Sequence, residues 1–168
     1  FRSYAVGFAR MWLKPEDMGK LGLLYLQHGI WDGKQIIPES WVLDSITPHA
    51  YPKNYVKILD ESGEVDKELT TTNWRAANIV RSFADGYGYQ WWLDKDGSYS
   101  AVGVGGQYIM VVPQENLVVV ATSSSSGLGV FFPRKILDKF ILPAIKSDQA
   151  ISANQEAYEN LMTKAGPP

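Results

Sequence analysis

Apolar and polar positions follow two rhythms along this chain. Between Lys14 and Gly29, Met18, Leu21 and Tyr25 recur at helical spacing. Leu23, Leu24 and Leu26 carry apolar surface to most other sides, so the pattern predicts a helix buried between neighbours. Pro15 suits the first helical position, Glu16 and Asp17 suit the positive end of the helix dipole, and Gly29 is a natural C-terminal cap. Gly19 and Gly22 weaken a helix intrinsically, which predicts that they permit close packing. Asp32-Gly33 then marks a tight turn and Ile36-Ile37 a short extended piece. Pro38 to Ile46 reads as a second helix with Trp41, Val42 and Ile46 inward, stopped by Pro48.

From 48 to 85 periodicity disappears. Asp60 to Glu68 carries five acidic residues and one Lys, which predicts an exposed loop of the kind that forms lids or stays disordered. After Gly86 the rhythm shortens to that of strands. Tyr87–Leu93, Tyr99–Val104, Gln107–Val112 and Leu117–Thr122 are joined by the turn signals Asp94-Lys95-Asp96-Gly97 and Pro113-Gln114-Glu115-Asn116. Connections this short imply an antiparallel meander. Leu117–Thr122 is apolar on both faces and is expected to lie centrally. A Ser/Gly connection over Ser123–Gly129 leads to a helix over Pro133–Leu142. Ser147 or Asp148 would cap a last helix with Ile151, Asn154, Tyr158, Leu161 and Ala165 on one face. Helices segregated from an antiparallel sheet give an α+β fold: a sheet meander flanked by helices.

Composition narrows the classes. The 168 residues suffice for one domain with a sizeable core, and 45% apolar with 12% aromatic content excludes a disordered chain. Sixteen basic against 18 acidic residues disfavour a nucleic-acid partner, which calls for a basic excess. There is no cysteine, so thiol chemistry and disulfides are excluded. No apolar run approaches the roughly 20 residues needed to span a bilayer. The opening Phe1-Arg2-Ser3-Tyr4 lacks a Met, which predicts a longer parent or an upstream piece removed.

Candidate chemistry is sparse. His28, near a helix end, and His49, in a Pro-flanked loop, have no carboxylate at ligand-like spacing, so no metal site is expected. The chain contains neither a G-x-S-x-G elbow nor an S-x-x-K pair, in which a Lys one helical turn from a Ser acts as its base. Tyr158-Glu159-Asn160 matches Y-x-N only formally, within a predicted helix. Ser123–Ser126 offers hydroxyls without a nearby base and reads as a loop leaving a strand. Tyr87, Tyr89, Trp91, Trp92 and Tyr99 either line a groove, for example for sugars, or fill the core. The most distinctive stretch is Ala101-Val102-Gly103-Val104-Gly105-Gly106-Gln107-Tyr108. Glycine within such strongly β sequence serves where another backbone or a ligand must come close, and backbone N–H groups at such an edge can stabilise a developing oxyanion. A bulge or a tight sheet crossing is the alternative.

Gly86-Tyr87-Gly88-Tyr89-Gln90-Trp91-Trp92, then Gly103-Val104-Gly105-Gly106-Gln107-Tyr108-Ile109, then Pro113 and Leu117-Val118-Val119-Val120, resemble the C-terminal part of the serine beta-lactamase-related hydrolases. That family includes class C beta-lactamases, penicillin-binding proteins, esterases and 6-aminohexanoate-dimer hydrolases. Leu13 to Gly22, Gly29 to Pro38 and Trp41-Val42 resemble its middle region. The two blocks stand in the family's order over about residues 12–145, and the amide-hydrolase and esterase branch fits best.

The resemblance implies a partial beta-lactamase/transpeptidase-like fold. In the family, a Ser attacks a carbonyl, a Lys one helical turn later activates it, and the Tyr of a Y-x-N motif assists proton transfer. A third motif, K-T-G or H-T-G, edges the site and supplies part of the oxyanion hole from its backbone. Gly103-Val104-Gly105 falls on that motif, with Gly103 in place of the Lys or His. No side-chain charge is then present to hold a substrate carboxylate, which favours a small-molecule neutral amide or ester. The oxyanion N–H would fall near Gly106, with Gln107 beginning the next stretch along the site. With S-x-x-K and a credible Y-x-N absent, the chain reads as a C-terminal segment without catalytic residues of its own. Its expected partner is the missing N-terminal segment of the same fold, with no cofactor, no metal, and a periplasmic or extracellular location. The competing readings are a non-catalytic interaction module working through Trp91 and Trp92, and an inert scaffold remnant.

Overall fold

The computed structural model describes residues 11–51, 86–124, 132–149 and 152–165. The acidic stretch Asp60–Glu68 and most of the Ser/Gly connection lie outside the described residues. Helix α1 spans Pro15–Leu26, with Lys14 extended before it and Pro15 opening its first turn. Beyond it, Gly29 takes φ +84° and its N–H donates to the Leu24 carbonyl at 2.7 Å, closing the helix as its sequence predicts. The two-stranded ribbon β1 (Ile30–Trp31) and β2 (Lys34–Gln35) follows, then α2 over Glu39–Ser45.

Five strands form an antiparallel meander in chain order: β3 (Gly86–Tyr87), β4 (Trp92–Leu93), β5 (Tyr99–Gly103), β6 (Gln107–Val112) and β7 (Leu117–Ala121). The fold class is therefore α+β. Because side chains alternate across a strand, the sheet carries two apolar faces. On one, Trp91, Leu93, Tyr99, Ile109 and Val111 pack beneath Met18, Leu21 and Tyr25 of α1. On the other, Tyr108, Met110 and Val112 pack against Leu137, Ile141 and Leu142 of the C-terminal helical segment. That segment begins as α3 (Phe132–Ile136), widens into a π turn over Leu137–Ile141 and tightens to a 3-10 turn over Leu142–Ala144. Helix α4 spans Gln155–Ala165.

Gly22 sets how closely α1 approaches the sheet. A Cβ there would lie 2.6 Å from Val118 Cγ1 and 2.8 Å from Ile109 Cγ2, whereas at Gly19 the nearest atom would be 3.8 Å away. Only Gly22 is therefore needed for close packing.

Four further expectations change. The aromatic run Tyr87–Leu93 is two strands, because the chain folds back at Gly88: its N–H bonds the Trp91 carbonyl at 2.9 Å, and a Cβ on Gly88 would collide with the Ser45 carbonyl. Trp41 faces outward, 51% exposed, while Val42 is buried; successive helical residues lie about 100° apart and cannot share one face. Among the described residues, strand β7 stands at the end of the sheet, half-buried throughout, rather than at its centre. The last helix is capped by Asn154, whose Oδ1 accepts the Ala157 N–H at 2.9 Å, because the helix starts later than Ser147 or Asp148. Among the described residues, no helix is long and apolar enough to cross a membrane.

Candidate functional site

The β5–β6 hairpin brings the glycine-rich stretch to one end of the sheet. The two strands are in register from Tyr99↔Val111 through Ala101↔Ile109 to Gly103↔Gln107. Val104, Gly105 and Gly106 make the turn, with the Gly106 N–H on the Gly103 carbonyl at 3.3 Å. Gly105 and Gly106 take φ +84° and +86°, a region costly for any residue with a Cβ. Gly103 is exposed and Val104 is 98% exposed, so the outer end of the turn opens to solvent; Gly106 is buried beneath it. Strand β4 pairs only with Tyr99 and Ser100 of β5. Among the described residues, the same edge of β5 has no strand beside it from Ala101 to Gly103.

The five residues singled out by sequence thus occupy one place. Gly103 and Val104 form the open lip, and Gly105 and Gly106 the left-handed corner. Gln107 starts β6, and its side-chain amide donates to the Ser123 carbonyl, across 16 positions of sequence. Ser123 returns the contact: its Oγ donates to the Gly105 carbonyl at 2.5 Å and lies 3.3 Å from that of Gly106. Sequence reading missed this tie. Ser123 stands first in a run of serines, and nothing local marks which hydroxyl turns back to the sheet.

The other end of β5 is built from charge. Arg134 Nη1 lies 2.6 Å from Asp94 Oδ2, and its Nε donates to both oxygens of Asp138 at 3.0 and 3.1 Å. Nη2 lies 3.6 Å from Asp96, whose Oδ1 accepts from the Ser98 hydroxyl at 2.6 Å. Burial pushes the Asp94 carboxyl up to about 6, against the opposing pull of Arg134. Burial works against the Arg134 charge, yet Asp94 and Asp138 raise its pKa overall. Burial also lifts the Tyr108 phenol to about 12.

The aromatic run divides. Trp91 is 3% exposed, between Tyr25 at 4.7 Å and Tyr99 at 5.2 Å, so it is core. Trp92 is half-buried against Tyr87. Tyr89 is exposed, stacked on His49 at 4.3 Å and Trp41 at 5.3 Å, and pins α2 to the β3–β4 turn. An interaction surface needing both indoles loses Trp91. His49 Nε2 lies 2.9 Å from the Asp44 carbonyl oxygen and 3.3 Å from its carboxylate, and His28 Nδ1 lies 3.8 Å from Glu39. Tyr158, Glu159 and Asn160 sit on exposed positions of α4.

No family model matches the chain, and no curated protein matches it. Among solved structures, one named as a 6-aminohexanoate-dimer hydrolase from Bacillus anthracis superposes at a TM-score of 0.46 with 20% sequence identity. The match covers 79% of this chain and 30% of that one.

Proposed function

We propose that this chain supplies the oxyanion-side wall of a serine-hydrolase site for a neutral amide or ester, and that the attacking Ser comes from a preceding segment of the same fold. The observation that carries this reading is the glycine turn at Gly103–Gly106, open to solvent at Gly103 and Val104, beside a stretch of β5 with no strand next to it among the described residues. Glycines at such a corner add no side chain of their own between an acyl group and the backbone. The 3.3 Å turn bond of the Gly106 N–H is long for its type, so an oxyanion, a stronger acceptor than a peptide carbonyl, would compete for that donor. Gly103 brings no charge to the lip, which suits an uncharged acyl group. Gln107 acts from behind, holding Ser123, rather than reaching toward substrate. The side of β7 with no strand next to it among the described residues is where a preceding segment would complete the sheet.

In this reaction the Ser hydroxyl adds to the carbonyl and gives up its proton, the tetrahedral oxygen accepts a hydrogen bond from the backbone N–H, and collapse expels the amine or alcohol with that proton. Water then releases the acid. The test is to mix this chain with the upstream portion of its own reading frame and follow p-nitrophenyl ester cleavage. Hydrolysis by the mixture and by neither piece alone is the expected result. A well-folded complex without hydrolysis overturns the reading.

A further inference from the structure

The Gly105–Gly106 peptide unit is the least self-determined part of the site. Neither residue has a Cβ to restrict its torsions, and both sit at positive φ. The orientation of their shared peptide plane must therefore come from hydrogen bonds. Two act on it from opposite sides. The Gly106 N–H bonds the Gly103 carbonyl at 3.3 Å, and the Ser123 hydroxyl bonds the Gly105 carbonyl at 2.5 Å. In a trans peptide, the carbonyl of one residue and the N–H of the next lie in one plane and point opposite ways. Whatever fixes the Gly105 oxygen thus fixes the direction of the Gly106 N–H. The shorter contact is the one from Ser123.

Ser123 is itself placed. It lies two residues beyond the end of β7, and the Gln107 side-chain amide holds its carbonyl. The contacts close a loop: Gln107 side chain to Ser123 backbone, Ser123 side chain to Gly105 backbone, and two peptide links back to Gln107. The anchor comes from 18 positions away in sequence, so it forms only when β6 and β7 are paired.

We propose that Ser123 is a positioning residue whose hydroxyl sets the Gly105–Gly106 peptide plane and hence the aim of the Gly106 N–H. Removing the hydroxyl leaves the diglycine peptide to the long bond between the Gly106 N–H and the Gly103 carbonyl, so it turns over more readily while the sheet beneath it is unchanged. The catalytic consequence rests on the hydrolase reading above; the structural claim does not.

The first measurement is amide hydrogen exchange, resolved by NMR, on the 168-residue chain with Ser123 replaced by Ala, Val or Thr. Exchange at Gly106 should quicken at least tenfold in S123A and S123V, and stay near wild type in S123T, which keeps a hydroxyl. Met110 and Val111, buried in the sheet, report whether each variant is folded. If S123A fails to fold, the Val and Thr variants make the same comparison. Unchanged Gly106 exchange in folded Ala or Val variants, or an equal increase in the Thr variant, overturns the proposal. In the reconstituted hydrolase, S123A should lower kcat about tenfold with KM within about twofold, because preorganisation of the oxyanion donor is lost while substrate binding is not. A wild-type mixture without hydrolysis would sink the hydrolase reading and leave the exchange result to decide the role of Ser123.

Discussion

Strand β5 ends in two turns of opposite construction. At Asp94–Ser98 the chain is held by charge. A guanidinium with its side chain 14% exposed meets a carboxylate 9% exposed, and Arg134 reaches across 40 positions of sequence to make the contact. At Gly103–Gly106 the only side chain is that of Val104, and the turn is held by its own backbone bond and the Ser123 hydroxyl. The first turn clamps the C-terminal helical segment to the sheet. The second leaves backbone amides beside an edge of β5 with no strand next to it among the described residues. One strand thus carries a fixed end and a permissive end, and the fixed end lets the permissive one exist without loosening the sheet.

The contrast can be broken from the charged side first. Arg134→Met should destabilise the fold by about 3–5 kcal/mol, since it leaves the Asp94 carboxylate buried without its counter-ion. Urea denaturation measures this, and a loss under 1 kcal/mol would refute the clamp. Next comes pH. Asp94 binds its proton more tightly folded, at about 6, than unfolded, near 3.8. Its contribution to stability therefore rises as pH falls through 6 toward 4 and levels off below. The full span is on the order of 3 kcal/mol at about 1.4 kcal/mol per pKa unit. Asp94→Asn should abolish that slope between pH 7 and 4 in the same titration, and an unchanged slope would assign it elsewhere.

The glycine end should respond more weakly. Gly106→Ala forces a Cβ into a left-handed, buried position and should cost about 1–2 kcal/mol. The last change sharpens the comparison by doing nearly nothing. Val104→Ala, at a side chain almost wholly in solvent, should shift stability by less than about 0.5 kcal/mol. A large effect there would mean that the lip is covered.

The unequal construction of the two turns also explains what sequence could show. The meander was legible because Asp96-Gly97 and Pro113–Asn116 announce their turns locally and the strands between them are unmistakably β. Helix α1 was legible from Pro15, Glu16, Asp17 and Gly29, each acting within a turn of its own position. The glycine corner could be found because three glycines in a β run are conspicuous. The Arg134 clamp and the Ser123 tie could not, since each joins residues 16 to 40 positions apart that no local pattern connects. The place of β7 at the sheet's end was hidden for a different reason. An apolar strand reads alike whether a neighbour lies on one side or both, and Leu117–Ala121 has its described neighbour only in β6.

The π turn at Leu137–Ile141 carries a further consequence. A turn of this kind holds one residue more than the surrounding spiral requires. Its natural edit is a single-codon deletion, which would heal the spiral and leave everything downstream facing nearly as it does now. Arg134 would keep its grip, and Leu142 beyond the turn would keep its seat on the sheet. The spare residue is therefore taken up within the turn itself, and one continuous rod still joins an electrostatic anchor at its start to a greasy seat at its finish.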